Sequence, residues 1–326
     1  MKQTAWAPAN IAFIKYWGKR DDDLRLPLNA SISMNLSGAY TVTTVEFSPK
    51  FEADSVELLG GGFSEQETRR VINGLDRMRE RAGRVEKAKV VTENTFPKGA
   101  GSAASASGFA ALTVAGFAAL GMNLTEKELT LFARMGSGSA CRSIPDGFVE
   151  WQKGTNSEDS YAYSLYPSTY WDIQDILVIV DSRMKKVSTT EGMETVGTSP
   201  FISARLVALP ERLERCRKAL QTKNFRLLGM VAEEDCLDMH RVMQSQTPAL
   251  MYWNETTRTL MDAVIRWRER GIPVYFTIDA GPNVHVLCEG KDEISVLKEL
   301  KLIKGVESVI RNAPSKGAHA ISEHLF

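Results

Sequence analysis

The sequence predicts an α+β chain of about two domains, and three observations carry that prediction. The first is length: 326 residues, at roughly 100–200 per domain, give about two units. The second is a change of texture. Residues 1–180 mix strand-like runs with Gly-rich turns, residues 199–270 read as mostly helical, and strand-like runs return after 272. The third is the lack of a regular strand–helix alternation, which favours α+β over a doubly wound parallel sheet.

The elements follow in order. Ala9–Tyr16, Ser31–Leu36 and Tyr40–Phe47 are expected strands, the last rich in β-branched and aromatic residues. Ser64 and Glu67 form a capping-box pair before a helix with Val71, Ile72, Leu75 and Met78 on its apolar stripe, ended by Gly83. Lys87–Thr92 is a strand, and the small-residue segment Gly99–Gly108 leads into an Ala-rich helix. Thr125 and Glu128 open a helix that runs towards Met135. Phe148–Gln152 and Ile176–Asp181 read as strands, as do Val274–Asp279 and Val284–Cys288 on either side of a turn at Ala280–Asn283. Leu297–Leu302 belongs to a helix and Val306–Ile310 to a final strand.

Composition excludes several functions. Lys+Arg and Asp+Glu are both 40, so the chain lacks the basic excess of a general nucleic-acid binder. Cys141, Cys216, Cys236 and Cys288 show no CxxC spacing, which argues against a disulfide framework or a zinc site. The first twenty residues are broken by Pro8 and Asn10, unlike a signal peptide, and no apolar run reaches the ~18 residues of a membrane span. The expectation is a soluble, reducing, cytoplasmic setting without nucleic-acid or membrane partners.

Four segments carry candidate chemistry. In Pro97–Gly108 small residues let backbone N–H groups approach a ligand, and the helix that follows adds its dipole, a combination suited to phosphate. Neither G-x-x-x-x-G-K-[ST] nor G-x-G-x-x-G is present, and close packing of a small-residue helix explains the same composition. Gly136–Ser143 places two glycines, three hydroxyls and Arg142 together, either for an anion or as a plain helix-ending loop. Asp279 ends an apolar strand before a sharp turn, where it serves either a cleft or a turn cap. Asn10–Arg20 interleaves cations with aromatics, as a binding strand or as a solvated edge. The histidines have no metal-ligand spacing, and no G-x-S-x-G elbow supports a serine hydrolase.

Together the runs NIAFIKYWGKRDDDLRLPLNASIS, FPKGAGSAASASGFAAL, GSGSACRS followed by FVEW, and TIDAGPNV resemble the phosphomevalonate and diphosphomevalonate decarboxylases of the GHMP kinase superfamily. The resemblance implies an N-terminal ATP-loop domain over residues 1–177, a ferredoxin-like domain over 178–326, and an active site between them. It also implies ATP and Mg²⁺, the metal held mainly by the ATP phosphates, and a homodimer. The expected reaction phosphorylates the tertiary 3-hydroxyl of the substrate and then releases phosphate and carbon dioxide.

By position in those motifs, Asp279 matches the catalytic aspartate, Lys15 the lysine of the same cluster, and Arg142 the arginine that holds the substrate carboxylate. Ser105 matches the serine that handles ATP phosphates, with Lys98, Gly99, Ala100, Gly101, Ser102 and Ala104 around it. Asn10 lies where the acid group is oriented; Tyr16, Lys19, Ser137 and Ser139 match the binders of the substrate's phosphate end, and Thr190 and Met193 lie near its terminal phosphate. The loop departs from the family's usual PTAAGLASSASG at Lys98, Ser102 and Ala104. Thr190 stands where several relatives carry arginine, and Glu191 beside it adds like charge. That pair favours mevalonate 5-phosphate as substrate and isopentenyl phosphate as product. The alternatives are mevalonate 5-diphosphate, a small-molecule kinase of the same fold that does not decarboxylate, and a silent ligand-binding protein that retains the motifs.

Overall fold

The computed structural model describes residues 1–97, 103–183 and 187–326. Its elements run β1 (Lys2–Ile14), β2 (Lys19–Asp21), β3 (Leu26–Pro27), β4 (Ser31–Ser48), β5 (Ser55–Leu58), α1 (Glu65–Ala82), β6 (Lys87–Asn94), α2 (Ala103–Ala119), α3 (Glu126–Gly136), β7 (Phe148–Trp151), β8 (Ala162–Tyr166) and β9 (Ile173–Ile179). There follow α4 (Thr189–Glu194), α5 (Ile202–Gln221), α6 (Phe225–Ser245), α7 (Glu255–Glu269), β10 (Val274–Thr277), β11 (Val284–Glu289), α8 (Glu293–Leu300), β12 (Ser308–Asn312) and β13 (His319–Ile321).

Both expected capping boxes form. Ser64 accepts from the Glu67 N–H while the Glu67 carboxylate takes the Ser64 N–H at 2.7 Å, and Thr125 and Glu128 repeat the arrangement at 3.0 Å. Gly83 ends α1 at φ 63°, a left-handed value that favours glycine. Helix α2 is apolar on all sides because it is enclosed: Ala106, Ala110, Ala111 and Ala115 are buried between α1 and the large sheet.

Among the described residues the large sheet has seven strands, in the order β13-β1-β4-β6-β5, with β7 also paired to β4 and β8 to β7. The smaller sheet is four-stranded, β10-β11-β9-β12, and antiparallel. Helices α5 and α6 pack as a pair between the two halves. Their Leu209, Leu213, Leu228 and Val231 share a core with Ile11, Phe13 and Ile32 of the first sheet and Leu177 of the second. Helix α7 covers the other face of the small sheet through Leu260, Val264 and Trp267. No helix among the described residues is long and apolar enough to cross a membrane.

Several expected boundaries shift. The two early strands are one 18-residue strand, β4. Within it Gly38 lets β12 come close, its N–H donating to Asn312 Oδ1 at 3.0 Å where a Cβ would meet the Arg311 carbonyl. Partner exchange occurs across this region: β7 pairs with residues 31–34 of β4, and β6 with residues 41–48. The final strand is not 306–310. Residues 308–312 complete the small sheet, and β13 returns to β1 with Thr4 opposite Ile321. A domain boundary after residue 177 cuts β9, which pairs along its length with β11 and β12; we propose the crossing at 167–172 instead.

Candidate active site

Five pieces of chain bring the expected site residues to one cavity of about 270 Å³. They are the end of β1 with the loop to β2, the first turn of α2, the 3₁₀ turn Gly138–Ser143 after α3, helix α4, and the turn after β10.

The turn after β10 carries Asp279, and β1 ends just before Lys15; Lys15 Nζ donates to Asp279 Oδ1 at 2.7 Å. Lys15 is fixed by its own backbone. Its N–H donates to Asp235 Oδ2 of α6 at 2.7 Å, and its carbonyl accepts from Asn29 Nδ2 at 2.9 Å. Asp235 is in turn paired with Arg205 of α5 at 2.9 Å, both wholly buried. Burial raises the pKa of the Asp279 carboxyl, but Lys15, then His285 and Arg142, outweigh it and bring it down to about 2. Asp279 is therefore an anion at neutral pH, and a weak proton acceptor.

Arg142 is 4% exposed. One guanidinium nitrogen donates to Ser31 Oγ at 2.7 Å, another to Asn10 Oδ1 at 3.1 Å, and the buried Nε has no hydrogen-bond partner. Asn10 is oriented by its own donation to Ser143 Oγ at 2.8 Å and the Ser139 carbonyl at 3.1 Å. Among the described residues Arg142 has no carboxylate within ion-pair distance. Desolvation lowers its pKa, so the fold holds a buried cation against neutral acceptors. An anion bound at the cavity would offset that cost.

The remaining expected residues divide. Ser105 on α2 and Ser137 face each other, Oγ to Oγ at 3.2 Å. Tyr16 packs edge-on against Trp151 at 4.7 Å and lies so close to the 3₁₀ turn that a Cβ on Gly138 would stand 2.7 Å from its ring. Lys19, Ser139, Thr190, Met193 and Ala104 all border the cavity. Lys98, Gly99, Ala100, Gly101 and Ser102 lie outside the described residues. Glu191 does not border the cavity: its carboxylate turns back to accept the Ser188 N–H at 2.9 Å and is exposed. Its hydrogen bonds with Ser188 lower its pKa.

Other parts of the cavity wall are absent from the motif reading. Val56, Leu58, Phe63, Val71, Val90 and Leu112 form an apolar lobe beside the start of α2. Leu112 closes the FPKGAGSAASASGFAAL run, but the others come from β5, β6, α1 and the loop before α1, in segments without a chemical motif. Arg25 and Arg70 also line the cavity. Among the described residues no group of three His, Cys, Asp or Glu side chains is placed to hold a metal.

A cleft between two α+β units, entered by the first turn of a small-residue helix and lined by cations and hydroxyls, has the architecture of a GHMP-kinase-type phosphoryl-transfer enzyme. The family model for the diphosphomevalonate decarboxylase-like N-terminal domain matches residues 7–162, and that for the mevalonate 5-diphosphate decarboxylase C-terminal domain matches residues 176–322. The diphosphomevalonate decarboxylase of Candida albicans is 35% identical over 312 residues, covering 90% of this chain and 86% of the relative. That of Bos taurus is 35% identical over 305 residues, covering 87% and 76%. Among solved structures, mevalonate diphosphate decarboxylase from Staphylococcus aureus superposes with a TM-score of 0.93 at 38% identity over 98% of both chains. The complex of MDDEF with MVAPP, AMPPCP and magnesium gives 0.92 at 37% identity over 99% of both. The chain belongs to the diphosphomevalonate decarboxylase family, a family of ATP-dependent decarboxylases.

Proposed function

We propose that this protein converts mevalonate 5-diphosphate, with ATP, to isopentenyl diphosphate, ADP, phosphate and carbon dioxide. The observation that carries the reading is the facing arrangement of a carboxylate-free buried arginine, Arg142, and the Lys15–Asp279 pair in one cavity. The first suits a substrate carboxylate and the second a hydroxyl. Two points favour the diphosphate over the monophosphate expected from Thr190 and Glu191. The relatives are named for the diphosphate, and Glu191 spends its charge on the α4 cap, so repulsion from it does not discriminate.

Asp279 orients the tertiary hydroxyl by accepting its hydrogen bond. With a pKa near 2 it takes the proton only as the hydroxyl oxygen becomes bonded to phosphorus and acidic. Lys15 holds that carboxylate in place through its 2.7 Å contact, beside the transferred group. Arg142 fixes the substrate carboxylate through a forked pair. When the C–O bond to phosphate breaks, the electrons of the C–CO₂ bond form the double bond and carbon dioxide leaves. Asn10 and Ser31 already share the guanidinium, so Arg142 holds the carboxylate without pulling strongly on its electrons.

Ser105, on the first turn of α2, serves the ATP phosphates and Ser137, 3.2 Å from it, the substrate's phosphate end, while the apolar lobe suits an adenine ring. The donor set fits magnesium, since two carboxylates, Glu67 and Asp279, and several hydroxyls border the cavity and such ions are carried mainly by substrate phosphates. When bound, the ion neutralises phosphate charge. The burial of all four thiols as free cysteines supports a reducing, cytoplasmic setting. The homodimer expected from the resemblance belongs to the same proposal.

The test is steady-state kcat/KM with each phosphorylated mevalonate, following ADP and carbon dioxide together. Efficient turnover of the diphosphate with one carbon dioxide per ADP supports the reading. ADP without carbon dioxide indicates a kinase, and turnover of the monophosphate alone returns the substrate to mevalonate 5-phosphate.

A further inference from the structure

Five cationic side chains among the described residues border the cavity: Lys15, Lys19, Arg25, Arg70 and Arg142. Three are accounted for. Lys15 is paired with Asp279, Lys19 with Asp22, and Arg142 sits at the carboxylate end with Asn10 and Ser31. Arg25 and Arg70 have no carboxylate within ion-pair distance among the described residues, and residues 98–102 and 184–186 contain no acid. The nearest acids are engaged elsewhere: Asp22 with Lys19, and Glu67 with the Ser64 cap at 2.7 Å.

The two arginines are anchored side by side. Arg25 Nε donates to the Met135 carbonyl at 3.0 Å, and a terminal nitrogen of Arg70 donates to the next carbonyl, Gly136, at 2.8 Å. Arg70 also lies over the Phe109 ring at 5.0 Å, and its buried Nε has no hydrogen-bond partner. Arg25 adopts φ 51°, a left-handed backbone unusual for arginine. Ser137 follows this anchor directly in the chain and borders the same cavity, as do Ser139, Tyr16 and Lys19.

We propose that Arg25, supported by Arg70, binds the distal phosphate of the substrate's diphosphate and so sets the preference for diphosphate over monophosphate. The assignment rests on the diphosphate reading above. A diphosphate brings more negative charge than a monophosphate to this end of the cleft. Thr190, on the α4 side, has no charge to answer it. Two adjacent guanidinium groups repel each other: burial lowers the pKa of both, and Arg25 lowers that of Arg70 further, while Tyr16 and Asp22 pull Arg25 up and Glu67 pulls Arg70 up only in part. A phosphate between them relieves that repulsion, and each forked cation suits two of its oxygens.

The test compares Arg25→Asn, which tolerates the left-handed backbone, and Arg25→Lys, which keeps the charge, with the parent protein. Arg25→Asn is expected to raise KM for mevalonate 5-diphosphate at least ~10-fold, the effect of losing one charge-assisted contact. The KM for ATP and the kcat/KM for mevalonate 5-phosphate should change less than ~2-fold. Arg25→Lys should fall between. As a binding readout, inorganic pyrophosphate should raise the thermal midpoint of the parent more than of either variant. A rise confined to the KM for ATP would assign the pair to the nucleotide phosphates and overturn the proposal, as would equal losses on both mevalonates. If Arg25→Asn does not fold, the ratio of the two mevalonates in Arg25→Lys decides: an unchanged ratio overturns it. Failure of the parent to use the diphosphate at all rejects the underlying function instead.

Discussion

Lys15 and Asp279 meet at 2.7 Å although the chain places them in different sheets, one at the end of β1 and the other after β10. The contact joins the two halves at the floor of the cleft. Neither residue reaches the other unless both units are folded and packed.

That relationship gives the first prediction. Asp279→Asn keeps the shape and removes the charge, and it should lower kcat by at least ~10²-fold while ATP binding persists. Because the carboxyl titrates near 2, Asp279 should contribute no acid limb to the kcat–pH profile between about pH 5 and 8. Normal turnover by the Asn variant would remove Asp279 from the reaction.

Arg142→Lys keeps a cation and loses the planar fork. Losing one charge-assisted hydrogen bond, about 2 kcal/mol, should reduce kcat/KM for the mevalonate substrate by ~30-fold and leave the KM for ATP nearly constant. Unchanged kinetics would mean that Arg142 serves only Asn10 and Ser31.

Asp235→Ala should destabilise the fold by about 3 kcal/mol, the low end for breaking one side of a buried ion pair, since Asp238 still reaches Arg205 at 3.0 Å. Urea unfolding measures this. The same variant should lose activity beyond its loss of folded protein, because the Lys15 N–H is released from Asp235.

His240 sits beneath the Asp279 turn, its ring tilted by 41° against Trp253 at 4.6 Å. Burial pushes its pKa down to about 3, against the weaker upward pull of the Ile278 carbonyl at 3.3 Å. The unfolded chain takes up a proton near its ordinary value of about 6.5 while the folded chain does not, so acidification favours unfolding. Between about pH 6.5 and 3 this group should cost up to ~1.4 kcal/mol of stability per pH unit. His240→Gln should flatten the stability–pH curve by that amount in chemical denaturation; a parallel curve would show that His240 does not titrate there.

Much of the site was legible because its residues lie in short, chemically distinctive runs. Asn10, Lys15, Arg142 and Asp279 each belong to a motif, and the structure brings all four to one cavity or its immediate support. Arg25 drew no role in the sequence, since it stands in a charged stretch where arginine is ordinary on a surface; what sets it apart is its part-buried anchor on the Met135 carbonyl. Asp235 was hidden for the opposite reason, one acid among others on a long helix, distinguished only by facing inward. The fold class followed from texture, but β5, β8 and β13 did not, because strands of three to five residues leave little periodicity to read. Gly38, between the two expected strands, shows why the break between them was not real. Glycine marks both turns and close backbone approaches, and only the neighbour, here Arg311, separates the two.

The return of β13 to β1 makes the second half of the chain an insert within the first. The polypeptide enters that insert through residues 167–172 and leaves it through 313–318, so two crossings link the halves. A protease that cuts one crossing leaves a nicked protein whose pieces stay registered through the other and through the shared α5–α6 core. The second crossing is itself tied to the first unit: Pro314 bridges Leu36, and the Gly147 N–H donates to the Ser315 carbonyl at 3.0 Å.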